Sequence, residues 1–117
     1  VKFTNMEIQK VINQLLYKTN EPPIIIIQSD HGSDFGLDWK NVTEDALRQR
    51  MSNFQAFYLP NENSDLMSKA STPVNIFRII FNLYFDGNYE MLPDKVYWND
   101  YYKPYDFKDV TSILISD

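Results

Sequence analysis

"PPIIIIQSDHGSDFG", residues 22–36, decides how the rest of the chain is read. Four consecutive isoleucines, Ile24 to Ile27, follow a Pro22-Pro23 stop and run straight into Ser29-Asp30-His31-Gly32. A segment that is β-branched and apolar on both faces suits a strand covered on both sides, which is the mark of a central strand in an α/β sheet. In open α/β sheets ligands collect beyond the carboxyl ends of strands. Asp30 and His31, the only histidine in the chain, stand there. Carboxylate and neutral imidazole are both good ligands for zinc, manganese and related ions. Gly32 is expected to let the chain turn sharply where a side chain would crowd the site. The same residues also fit an ordinary turn, with Asp30 capping it and His31 in solvent.

Upstream, Thr4 and Glu7 have the spacing of a capping box, and Ile8, Val11, Ile12, Leu15 and Leu16 recur at helical intervals behind them. The pattern predicts a first helix over about 4–18, ended by Asn20 and the proline pair. Downstream, residues 29–41 read as a loop and Thr43 to Met51 as a short helix, with Arg48 and Arg50 on a charged face. Phe54 to Leu59 alternates as a second strand, followed by a polar loop from Pro60 to Lys69. Ser71-Thr72-Pro73 supplies a hydroxyl cap and a proline suited to a helix start. The helix predicted from Val74 to Phe85 is apolar almost all round. Asn75, Arg78 and Asn82 form one narrow polar face suited to structural hydrogen bonding, and Asp86-Gly87 closes the helix. The tail from Tyr89 holds five of the eight tyrosines, expected to close over a sheet edge with Trp98, and a strand near Asp109 to Ile115. A sugar-stacking platform is the other reading of those rings.

The element order is α/β within a single domain, residues 1–117. Two or three strands make a thin sheet. Missing chain, or another copy pairing along an exposed sheet edge, would extend it. The start at Val1, directly in helical pattern, suggests a piece of a longer protein.

Eleven basic against sixteen acidic residues give a net charge of -5, and the cations are scattered, which argues against nucleic acid as a partner. The longest apolar run is four residues, far short of the roughly 20 that a membrane span needs. The absence of cysteine excludes disulfides and thiolate metal sites.

A hydrophobic strand ending in Ser29-Asp30-His31-Gly32 resembles the second metal-binding motif of the alkaline phosphatase/sulfatase superfamily, closest to its lipoteichoic acid synthase and phosphoethanolamine transferase branch. "RMSNFQAFYLP" (50–60) resembles the core strand after the metal loop in sulfatase-like membrane proteins. "STPVNIFRIIFNLYF" (71–85) and "MLPDKVYW" (91–98) resemble the helix and Leu-Pro-Asp segment near the end of such domains. The resemblance covers about residues 3–100. It implies the C-terminal portion of an alkaline-phosphatase-like domain, part of a three-layer sheet with flanking helices. Asp30 and His31 become ligands of a divalent ion (Zn, Mn, Ca or Mg), while the nucleophile and remaining ligands lie in a missing N-terminal half. No catalytic residue is therefore expected in this chain. The isolated piece is expected to be inactive and to bind metal weakly, whereas the parent would hydrolyse or transfer a phosphate or sulfate ester. Resemblance also implies the outer face of a bacterial membrane. Asp34 and Asp38 are expected to be solvated loop residues. The competing reading is a non-catalytic α/β interaction module with a vestigial Asp-His pair.

Overall fold

The computed structural model describes residues 1–62, 67 and 72–114. Helix α1 spans Lys2–Lys18, strand β1 Ile25–Gln28, helix α2 Glu44–Met51 and strand β2 Gln55–Tyr58. Helix α3 (Ile76–Tyr84) follows a 3-10 turn over Pro73–Asn75. Strands β3 (Tyr97–Asp100) and β4 (Lys103–Asp109) and the one-turn helix α4 (Thr111–Leu114) complete the order. The fold is mixed helix and sheet, as the pattern predicts, but the sheets are two separate antiparallel pairs, β1-β2 and β3-β4. The expected sheet built around a central strand is absent among the described residues. Most of the polar loop expected over 60–69, and Ser71, lie outside them.

Strand β1 runs against β2 with Ile25 opposite Tyr58 and Gln28 opposite Gln55. It is half-buried rather than buried, because only one of its faces is covered. Ile24 and Ile26, with Phe57 and Leu59, pack on a core of Met67, Ile76, Ile79 and Ile80. The isoleucine run thus forms the expected strand, with α3 on one side and, among the described residues, no strand beyond its outer edge.

Proline at the start of the 3-10 turn suits a position whose N–H has no helical partner. Thr72 does not cap this helix; its hydroxyl donates to Asp94 Oδ1 at 2.5 Å. The narrow polar face of α3 works as a brace. Asn75 donates to the Leu92 carbonyl at 2.8 Å and accepts from the Leu92 N–H at 3.0 Å. Two turns along, Asn82 does the same for Tyr89, at 2.9 and 2.8 Å. Each side-chain amide thereby imitates the exposed edge of a strand. Arg78 takes no part: its Nε is buried without a hydrogen-bond partner among the described residues, contrary to the expected hydrogen-bonding role. At the end of α3 the left-handed residue is Asp86, with φ 51°, while Gly87 donates to Phe81 O at 3.0 Å.

Helix α1 begins two residues earlier than expected. Val1 is its N-cap and contributes no side-chain bond, so Thr4 and Glu7 form no capping box; Glu7 instead accepts from Lys10 at 2.6 Å. The apolar stripe of α1 is uncovered, and none of its residues is buried. In the tail, the strand expected near 109–115 lies earlier, over Lys103–Asp109, and residues 111–114 form the α4 turn. Val110 is the buried anchor there, its N–H donating to Val96 O at 2.9 Å. Between the pairings Trp98–Lys108 and Asp100–Lys103 the register shifts through a bulge in β4. Tyr101, Tyr102, Tyr105 and Phe107 project into solvent rather than closing over an edge.

Candidate metal half-site

Residues 29–32 leave the end of β1 and are fastened to the C-terminal end of α2. Thr43 caps α2 by accepting from Ala46 N at 3.3 Å, which starts the helix where sequence expects it. At its other end Arg50 O accepts from Gly32 N at 2.7 Å. Ser29 is held twice by Phe54, its N–H on Phe54 O at 2.9 Å and its Oγ accepting from Phe54 N at 2.8 Å. A Cβ on Gly32 would lie 2.0 Å from Gln49 O and 2.6 Å from Ser52 O. Close packing on α2, not a positive φ, is what requires glycine here.

This fastening sets Asp30 and His31 side by side. Asp30 Oδ1 accepts from the His31 N–H at 3.0 Å, and Asp30 Oδ2 lies 3.3 Å from His31 Nε2. The other ring nitrogen, Nδ1, is 2.7 Å from Gly32 O and 2.5 Å from Arg50 Nη1. Guanidinium can only donate, so contact with Arg50 requires Nδ1 to accept and Nε2 to carry the proton. Nε2–H then points at Asp30, and Arg50 also reaches Gly32 O at 3.4 Å. In the other tautomer Nδ1–H donates to Gly32 O and the Nε2 lone pair is free beside the carboxylate. A backbone carbonyl orienting the distal nitrogen is the usual support for a ligating histidine.

The residues present fit half of a metal site. Ligands bound at about 2.0 Å to a tetrahedral ion stand roughly 3.3 Å apart. The measured Asp30–His31 separation is 3.3 Å. Among the described residues, however, no group of three or more histidines, cysteines and carboxylates comes together. Asp34 lies 4.0 Å from Arg50 and is well exposed. Asp38 folds back on its own loop, accepting from Lys40 N at 2.9 Å and Asn41 Nδ2 at 3.2 Å. Those bonds, that of Lys40 foremost, hold its carboxyl below the ordinary value. Both residues are loop groups, as expected.

The pair opens onto a cleft of about 650 Å³ whose wall also carries Arg48, Ser52, Asn53, Lys95 and Tyr97. The sequence pattern makes Arg48 and Arg50 one charged helix face, but Arg50 is drawn away from it. Arg50 is mostly buried, on the His31–Gly32 turn, with its guanidinium 6.0 Å from the Trp39 ring. Trp39 in turn stacks on Trp98 of β3 at 5.4 Å, joining the loop after β1 to the hairpin. The cleft had no sequence signal, because its lining is gathered from stretches spread between Asp30 and Leu114. Comparison with known proteins finds no family model, curated protein or solved structure that matches the chain.

Proposed function

We propose that Asp30 and His31 are two ligands of a divalent metal ion in a sulfatase-like hydrolase or phosphotransferase. This chain would form the C-terminal part of its alkaline-phosphatase-like catalytic domain. The observation that carries the reading is the 3.3 Å spacing of Asp30 Oδ2 and His31 Nε2 at the mouth of a cleft, with Nδ1 on a backbone carbonyl at 2.7 Å. The Ser-Asp-His-Gly resemblance supports it from the sequence side.

When bound, a divalent ion at such a site lowers the pKa of a coordinated nucleophile and offsets negative charge building on the ester's oxygens. The chain's own residues supply orientation. Ser29 and Gly32 lock the turn, Gly32 O would fix the ring through Nδ1–H in the tautomer that leaves Nε2 free for the metal, and Asp30 contributes the anionic donor. Two donors adjacent in sequence cannot enclose an ion, so the remaining ligands and the nucleophile belong to the N-terminal half that the resemblance implies. That half would be the partner covering the open faces of α1 and β1. The outer face of a bacterial membrane is the location that goes with this reading; no helix among the described residues is long and apolar enough to cross a membrane.

The test compares metal content and ester turnover of the full-length protein with its Asp30→Ala and His31→Ala variants. Loss of both properties in each variant is expected. Unchanged metal content and turnover would reduce the stretch to a turn and favour an α/β interaction module. The 117-residue chain alone should bind zinc weakly and turn over no aryl phosphate or sulfate.

A further inference from the structure

The charged residues on the cleft wall are Arg48 and Lys95 against Asp30, two cations to one anion, in a chain whose net charge is -5. Acidic proteins repel anions on average, so a cation left unpaired on a cleft wall is where an anion would be held. The two cations come from different parts of the chain, Arg48 from the last turn of α2 and Lys95 from the segment before β3. Lys95 is steadied by Asp109 at 3.3 Å. The Arg48 guanidinium has no ion-pair or hydrogen-bond partner among the described residues. A planar fork of donors left free on the same cleft lining as a held ammonium suits a tetrahedral oxyanion, which accepts two parallel bonds from arginine and a point charge from lysine.

We propose that Arg48 and Lys95 form an anion clamp that holds the phosphate or sulfate group of the substrate opposite Asp30 and His31. The clamp rests on the reading of this cleft as the substrate site, yet it predicts behaviour that the metal half-site does not. In metal-free protein the Asp30 carboxylate opposes a bound oxyanion, so Asp30→Asn should tighten anion binding while removing a metal ligand.

The experiment titrates the isotope-labelled chain with inorganic phosphate and, separately, sulfate, at ionic strength held constant with chloride. Binding is read from saturable shifts of the Arg48 side-chain N–H and the Val96 amide. Arg48→Gln and Lys95→Gln should each weaken binding about tenfold, the usual result of removing a charged donor. Lys103→Gln, a lysine outside the cleft wall, should leave it unchanged, and Asp30→Asn should strengthen it. Preference for one anion over the other identifies the ester class. Equal affinity in wild type and Arg48→Gln, or no saturable shift even in Asp30→Asn, overturns the clamp. The metal content of the full-length protein separates the two ideas. Metal content unchanged in Asp30→Ala and His31→Ala, with phosphate binding intact and dependent on Arg48, would sink the half-site and leave the clamp standing.

Discussion

Gly32 is glycine because α2 leaves no room for a side chain: the carbonyls of Gln49 and Ser52 would lie inside contact distance of any Cβ. Backbone cannot yield as a flexible side chain can. Gly32→Ala should therefore destabilise the fold by about 3 kcal/mol, the upper end for overpacking. It should also displace His31 from Asp30. A urea midpoint near wild type, with the His31 ring shifts unchanged, would refute this. Asp109 makes a second prediction. Its carboxyl is held below the ordinary 3.8, first by the Thr111 hydroxyl and N–H and then by Lys95. A depressed folded-state pKa contributes stability that is complete above the unfolded value and fades as pH falls through the folded one. The difference in thermal midpoint between wild type and Asp109→Asn should thus be steady at neutral pH and shrink below 3.8. A gap that widens in acid would contradict the assignment.

The brace along α3 is the feature most open to test among the elements. Asn75 is buried and satisfies both backbone groups of Leu92, whereas the Asn82–Tyr89 pair is exposed. Water can replace the second pair of bonds but not the first. Asn75→Ala should destabilise by about 2–3 kcal/mol because it strands a donor and an acceptor, and Asn82→Ala by about 1 kcal/mol or less. Equal midpoints for the two variants in urea would argue against the brace. The elements themselves were largely legible. Thr43 and Met51 bound a helix in pattern and in structure, and Ile25–Gln28 forms the strand expected over Ile24 to Gln28. The capping box at Thr4 was not realised, because helix α1 starts before it. The hairpin strand Tyr97–Asp100 was missed, since two aromatics followed by two polar residues give no alternation to mark a strand.

Taken whole, the molecule carries more surface than its mass requires. A compact monomer of 13.9 kDa exposes about 6,700 Å². The chain exposes 9232 Å². Its radius of gyration is 17.2 Å, against about 13 Å for a compact domain of this length. The excess is roughly 2,500 Å², and the exposed apolar residues include Phe3, Met6, Val11 and Leu15 of α1. Because α1 buries nothing, Leu15→Ser should shift stability by less than about 0.5 kcal/mol. Ile76→Ala, in the core, should cost about 3 kcal/mol. Amides of α1 should exchange with solvent long before those of α3, and equal protection would show that α1 is part of the cooperative unit.

Local chemistry made the segments readable: proline stops, a threonine cap, helical periodicity and an isoleucine run act within a few residues of where they stand. Asp30 and His31 were legible for the same reason, being neighbours at the end of a strand. Antiparallel pairing of β1 with β2, the seat of Gly32 on α2, the capture of Arg50 by the His31 turn and the Arg48–Lys95 wall were not. Each joins residues from about twenty to nearly fifty positions apart, and only the packing of the chain against itself brings such groups into reach.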